Sequence, residues 1–435
     1  MSVHLSTEYI DTHYRRTLAS DDRYATLTGA HQSDVCIIGG GLAGLTTALE
    51  LLRLGRGVTI LEARRIAWGA SGRNGGFVSP GFACGQEKIS RKVGPDQAKA
   101  LYRLSMEGVD IVAANIRDLG IVEAERTDGI IGAIRYDDGD GLLAHRDQME
   151  RDFGRKLSFL ARDQLREILR SEKYHQALFD HDSFHFHPLN YARALAREIV
   201  RRGGKIHEGT PAISIAQTNG RQRIATPGGD VTAQEVVFTG GGYTDRLCPA
   251  LTRSFLPIAT YVLLTEPDAA LLQQAVRTTA AIGDDRRAGD YYRIVGGDRL
   301  LWGGRITTRT ADPQDLAGLL RREMVSTYPQ LMPLKVEIAW SGLMSYARHL
   351  MPQIGRLSAG RWYCTAFGGH GMNTTAIGGR VIAEAISGDS DRYRLFAPFT
   401  LDWNGGIFGR AAAQLTYWSY QLQDAWRERQ SRRQA

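Results

Sequence analysis

Four apolar residues, Val35-Cys-Ile-Ile38, follow Asp34 with no polar position among them. A run without alternation predicts a strand covered on both faces, as in a parallel sheet. Leu42, Leu45, Leu49 and Leu52 then recur at helical spacing until Gly55-Arg-Gly57 stops the helix, and Val58–Leu61 repeats the buried-strand pattern. Together these segments predict a βαβ unit of about 30 residues.

The same reading continues along the chain. It predicts a strand near Gly129–Tyr136, a helix over 189–202 ended by Gly203-Gly204, and a short strand at Lys205-Ile206. Polar turns at Asn219-Gly220 and Pro227-Gly-Gly229 precede a strand from Glu235 into Gly242. Residues 251–335 alternate β-like runs with a helix near 313–328, and the segment from Arg361 predicts strand, glycine turn and a helix over 372–387. Strand–turn–helix units near 34, 236 and 362, with mixed material between them, indicate an α/β fold. The expected organisation is a discontinuous Rossmann-like domain (33–85, 180–250 and 336–395) carrying a second, α+β domain on a mixed or antiparallel sheet (86–179 and 251–335). An N-terminal arm (1–32) and a helical tail (396–435) flank them.

Gly39-x-Gly41-x-x-Gly44 stands directly after the first strand and opens the helix. In that setting the first glycine turns the chain, the second admits a pyrophosphate to the backbone, and the third packs helix on strand. Glu62 ends the second strand, where a carboxylate takes ribose hydroxyls and repels a 2′-phosphate. A dinucleotide other than NADP follows. Downstream lies Trp68-Gly-Ala-Ser71-Gly-Arg-Asn74-Gly-Gly76, a density of glycine that suits a large flat group lying against bare amides.

Composition changes the picture only a little. The 435 residues hold 49 glycines and a net charge of +7, with basic side chains spread along the chain and no block of like charge. That distribution reads as a solvated surface, and nucleic acid is not expected as a partner. Cys36, Cys84, Cys248 and Cys364 lie far apart, which argues against zinc or a disulfide framework. His181, His185 and His187 read as a strand edge, and no metal is expected. No secretory pattern and no apolar run of membrane-spanning length is present, so a cytoplasmic location is expected.

From Trp68 to Gly76 the chain resembles the D-amino acid oxidase/glycine oxidase family of FAD-dependent amine oxidoreductases. The resemblance continues through His187-Pro188 and Gly204-Lys-Ile206, Thr239-Gly-Gly-Gly242 and Phe367-Gly-Gly-His370-Gly-Met372. Within the family, the arm, the GASGRNGG segment and the tail are most similar to the γ-glutamylputrescine oxidase branch, with L-pipecolate oxidases a second relative. The resemblance implies non-covalent FAD bound by Gly39, Gly41, Leu42, Ala43, Gly44, Glu62 and Ala63. It further implies Gly69, Ala70, Ser71, Arg73, Asn74, Gly75 and Gly76 along the ribityl chain, and Ile213 at the adenine. Gly241, Gly369, His370, Gly371 and Met372 would sit near the isoalloxazine.

Two departures narrow the implied chemistry. The family's carboxylate-anchoring arginine belongs to a G-L-R-P sequence, and the matching stretch here is Gly342-Leu-Met344-Ser345. An α-amino acid substrate is therefore less expected than an amine oxidised to an imine and hydrolysed to an aldehyde, with oxygen reduced to hydrogen peroxide. No lysine lies between 206 and 334 to activate oxygen, so a quinone acceptor stays open. Tyr261, Tyr292, Trp302, Met344 and His349 are the expected substrate-face residues. In the tail, Leu415, Trp418, Leu422 and Trp426 form an aromatic stripe followed by Arg427, Arg429, Arg432 and Arg433, which suggests weak contact with a membrane surface.

Overall fold

The computed structural model describes residues 7–244, 247–287 and 289–434, with side chains to residue 430. The first six residues of the arm and the side chains of Arg432 and Arg433 lie outside the described residues. The expected βαβ unit opens an eight-stranded sheet. Gly29–Ile38 runs parallel to both Val58–Leu61 and Gly229–Phe238, with Lys205–His207 and Arg361–Thr365 continuing the parallel order on either side. Gln353–Ser358 closes one edge antiparallel, and the hairpin Ser214–Thr218/Arg221–Ala225 pairs onto Gly229–Phe238.

Helices cover this sheet. Leu42–Arg53 packs against Gly371–Ser387 and Pro188–Arg201, and Pro95–Asp118 lies across Gly371–Ser387. Leu45 and Leu49 are fully buried, each worth about 1.5–3 kcal/mol over exposure. The buried Val35, Cys36 and Ile37 explain the missing alternation, since helices or loops cover both faces.

The second sheet has nine strands and is mixed. Phe255–Thr265 pairs antiparallel with Val336–Ala347 and with Arg299–Thr307, which continues to Tyr291–Val295. Ala281–Asp284 joins Thr127–Ile134 in parallel, and Gln176–His185 follows antiparallel. The sequence boundaries at 180 and 336 do not follow the sheets, because Gln176–His185 and Val336–Ala347 both pair in the second one. Phe77–Val78, just after the glycine segment, is likewise paired to Gln176–His185, so that segment spans the two sheets. No helix among the described residues is long and apolar enough to cross a membrane.

Candidate active site

A cavity of about 820 Å³ runs between the sheets. One end is the turn after Gly29–Ile38, where Gly39 has φ +113° and Gly41 precedes the helix without a side-chain cap. The first-turn amides of Leu42–Arg53 have no partner within the helix, and the dipole favours negative charge in front of them. Gly44 lies behind the turn, with its backbone so close that a β-carbon would overlap the Gly39 carbonyl oxygen.

Glu62 is the one carboxylate among the lining residues. Its Oε2 accepts from Gly40 N–H at 2.6 Å and its Oε1 from Arg64 N–H at 2.8 Å, so each oxygen keeps a lone pair for a ligand hydroxyl. Burial raises its pKa, against the pull of those amides.

Gly69 to Gly76 forms the middle of the wall. Ser71 Oγ accepts from Leu42 N–H at 3.0 Å and ties this segment to the phosphate turn. Asn74 works on its own segment, donating to the Ala70 and Ser71 carbonyls and accepting from Gly76 N–H. Arg73 is buried, donates to the Trp68 carbonyl at 2.8 Å and lies 4.0 Å from the Trp68 ring. Its Nη2 has no hydrogen-bond partner among the described residues. A buried guanidinium N–H without an acceptor is costly, and a ligand oxygen or nitrogen at the cavity would satisfy it.

The far end is built from the second sheet and the Phe367–Met372 loop. Gly342, Met344 and Tyr346 line it from one strand, and Gly368 N–H donates to Ser345 O at 2.8 Å, fixing the loop on that strand. Tyr291 projects in from its own strand over Gly303, where a β-carbon would overlap its ring. His370 also lines this end, held at 3.3 Å from Asn373 Oδ1, and burial lowers its pKa below the ordinary imidazole value.

The structure therefore gathers most of the expected cofactor residues on one cavity: Gly39, Gly41, Leu42, Ala43, Glu62, Ala63, Gly69, Ala70, Ser71, Arg73, Asn74, Gly75, Gly76, Gly241, Gly369, His370, Gly371 and Met372. Gly44 supports the turn from behind. Ile213 is elsewhere: its side chain is solvent-exposed and its amide donates to Ala225 O at 2.8 Å in the hairpin, while Pro211 and Ala212 line the cavity.

Of the expected substrate-face residues, Met344 lines the cavity and four do not. Strand alternation sends Tyr292 to the opposite face from Tyr291. There it stacks on its cross-strand partner Trp302 at 4.2 Å and bonds Tyr174 and Tyr328 through its hydroxyl. Tyr261 belongs to the same buried cluster, and its neighbour Thr260 lines the cavity instead. His349 is fastened outside the cavity, with Nε2 on Thr400 O at 3.1 Å and Nδ1 accepting from Met351 N–H.

Tyr243, Tyr346 and Arg287 line the cavity and were not picked out from sequence. Tyr243 directly follows the Gly240–Gly242 run and sits edge-on to Trp68, its hydroxyl accepting from Leu343 N–H. Tyr346 is two residues from Met344 on one strand, a spacing that already puts both on one face.

His185 and His187 bond Arg293 and Thr17 respectively, and His181 bonds Ser158. No group of metal-ligating side chains suited to an ion occurs among the described residues. The four cysteines are buried and none lines the cavity.

Fold and cavity define a dinucleotide-binding enzyme, with the phosphate turn on one sheet and the opposite end on the other. The chain belongs to the FAD dependent oxidoreductase (DAO) family, which matches residues 34–385. It is 33% identical to the gamma-glutamylputrescine oxidoreductase of Escherichia coli K12 over 90% of this chain and 92% of that one. It is 30% identical to the probable oxidoreductase OrdL of Haemophilus influenzae over 97% of this chain and 98% of that one. The fold is similar to glycine oxidase from Geobacillus kaustophilus, with TM-score 0.72 and 21% identity over 86% of this chain and 99% of the other. The protein is an FAD-dependent oxidoreductase, and the unpartnered Arg73 nitrogen, the helix N-terminus behind Gly41 and Glu62 fit that cofactor.

Proposed function

We propose that the enzyme oxidises a primary amine bearing a remote carboxylate, of the γ-glutamylputrescine type. The amine loses two electrons and two protons, one hydrogen from the carbon and one from the nitrogen, to become an imine, and water then releases the aldehyde and ammonia. FAD held in the cavity would supply the two-electron acceptor, with dioxygen as the final oxidant giving hydrogen peroxide. Non-covalent attachment agrees with a wall free of cysteine. The proposed holders are the phosphate turn and Glu62 for the pyrophosphate and ribose, Arg73 and the Gly69–Gly76 amides for the middle, and the Phe367–Met372 loop for the ring.

One observation carries the substrate reading: the lining cations divide between the Trp68 ring and the second-sheet side. Arg64 and Arg73 sit on the Trp68 ring at 4.1 and 4.0 Å, on the cofactor side. Arg287 lines the second-sheet side with Tyr291 and is steadied by Gln423 Oε1 at 2.6 Å and the Tyr420 ring at 4.7 Å. A carboxylate on Arg287 leaves a long substrate's amine to reach inward among Met344, Tyr291 and Tyr346. A compact α-amino acid lacks that reach. The Arg287→Ala variant is expected to raise KM for γ-glutamylputrescine by about 10–100-fold, the worth of one charge-assisted contact, with kcat nearly unchanged. Steady-state peroxide release with γ-glutamylputrescine and putrescine measures it. Equal KM changes for both amines would remove Arg287 from carboxylate recognition.

The inner end offers an ammonium no counter-ion, since Glu62 belongs to the phosphate end, and aromatic walls lower an ammonium pKa. The chain therefore binds the amine neutral, and its proton leaves to solvent. Burial holds Tyr346 up at about 12 and Tyr291 higher still, and keeps His370 neutral above pH 7. Tyr346, Tyr291 and His370 should then not titrate from pH 7 to about 10, and kcat/KM should rise roughly tenfold per pH unit until the free amine is deprotonated. A pH profile with an acid limb near the ordinary imidazole value would contradict this assignment.

A further inference from the structure

The tail helix Gly406–Gln434 shows only one face to the body. Tyr417 is buried and its hydroxyl accepts from Ile306 N–H at 2.9 Å, while Gln414 Oε1 accepts from Thr307 and Thr308. On the other side Ile407, Phe408, Leu415, Trp418, Leu422 and Trp426 are each between 53% and 77% exposed. With the exposed Ala411 and Ala425, they fall in a sector about 100° wide, opposite Tyr417. Arg410, Thr416 and Gln423, also exposed, lie outside that sector.

Size and shape choose the occupant. Aromatic side chains carry about 150–250 Å² each, so the stripe presents on the order of 800 Å² of apolar surface, what each partner gives to a standard interface. That exceeds the largest apolar patch of a typical monomer. Phe408, Ala411, Leu415, Trp418, Leu422 and Ala425 also alternate by three and four, the seam of a helix pair. Laid antiparallel on itself, with a two-fold axis between Thr416 and Tyr417, the stripe is self-complementary. Leu415 meets Trp418, Ala411 meets Leu422, Phe408 meets Ala425, and Ile407 meets Trp426. The Ala411–Leu422 and Phe408–Ala425 layers each set a small residue against a large one, and the two copies of Arg429, which lies in the same sector, reach the partner's helix start rather than each other. A parallel pair would stack Trp418 on Trp418 and bring those arginines together. A membrane-surface helix needs a charged face along its length, and here the opposite face is taken by the body.

We propose that the protein is a homodimer whose two tail helices pair antiparallel along this stripe. Sedimentation velocity of the flavin-loaded full chain should give twice the 48.0 kDa of one chain. Leu415→Glu and Leu422→Glu, both on exposed positions, should each raise the dimer dissociation constant by about 100-fold or more while leaving flavin content and the far-UV circular dichroism of the chain unchanged. Under mild oxidation an Ala411→Cys chain mixed with a Leu422→Cys chain should crosslink. Neither should crosslink alone, because like positions stand about 16 Å apart along the axis. The four native cysteines are buried and give little background. The proposal is overturned by a monomeric wild type, whether or not it sediments with phosphatidylserine vesicles. A dimer that survives both glutamate variants, or an Ala411→Cys chain that crosslinks to itself, overturns it equally.

Discussion

Gly44→Ala is expected to give a colourless protein. The added β-carbon would overlap the Gly39 carbonyl oxygen and approach Thr239 Oγ1 to 2.9 Å. Neither neighbour is a flexible side-chain tip, because Gly39 is backbone and Thr239 Oγ1 is held by the Ile38 and Gly39 carbonyls at 3.0 and 2.9 Å. The helix must therefore move off the strand, carrying its N-terminus and the Ala43 amide away from the phosphate position. Losing aligned donors and the dipole at a dianionic pyrophosphate should lower FAD affinity by at least about 100-fold, or roughly 3 kcal/mol. Far-UV circular dichroism should still show a folded chain, since the parallel sheet does not pass through Gly44. The check is flavin released on acid precipitation per mole of protein. Wild-type stoichiometry in the variant would show that the phosphate turn does not hold the cofactor.

The second large effect is acid lability. His13, His185 and His187 lie where the arm meets the second sheet, with the His13 and His187 rings 6.1 Å apart. His187 Nδ1 accepts from Asn190 N–H, and His185 Nδ1 accepts from Arg293, so both are held neutral. Burial, helped by the nearby Arg293 charge, lowers His13 to about 4, and His185 and His187 each to about 3. The sign follows directly. Below about 6.5 the unfolded chain binds protons that the native chain refuses, so stability falls as pH falls. Each group contributes about 1.4 kcal/mol per pH unit down to its own folded pKa. Three of them remove about 5 kcal/mol between pH 6.5 and pH 5, comparable to the whole stability of many domains. The thermal midpoint of the FAD-saturated protein should drop steeply across that interval, and His187→Gln should make the drop shallower. A midpoint that stays level from pH 7.5 to 5 would contradict the assignment of these rings as buried and neutral.

What could be read in the sequence followed from strict local patterns. The unalternated run at Val35–Ile38, the leucines at helical spacing and the glycines at 39, 41 and 44 each fix local geometry without help from distant residues. Substrate-face residues depend on register, which is not local. Alternation alone says that Tyr291 and Tyr292 take opposite faces; the choice between them is made by Gly303 on the neighbouring strand, which leaves room for a ring. A register shift between Thr260 and Tyr261 likewise turns Tyr261 into the core. His349 is held by Thr400, a contact across 51 positions that no window detects. The tail stripe was visible as a pattern, but which side packs on the body is decided by Tyr417 and Gln414, polar or amphipathic residues outside it.

Oxidation of an amine with a remote carboxylate is tested most directly by mixing the purified yellow protein with γ-glutamylputrescine in the absence of oxygen. The flavin absorption band should bleach within a turnover time and return when air is admitted, with peroxide formed, while glycine and pipecolate leave it intact. A band that persists with γ-glutamylputrescine but bleaches with an α-amino acid would contradict the proposed substrate class.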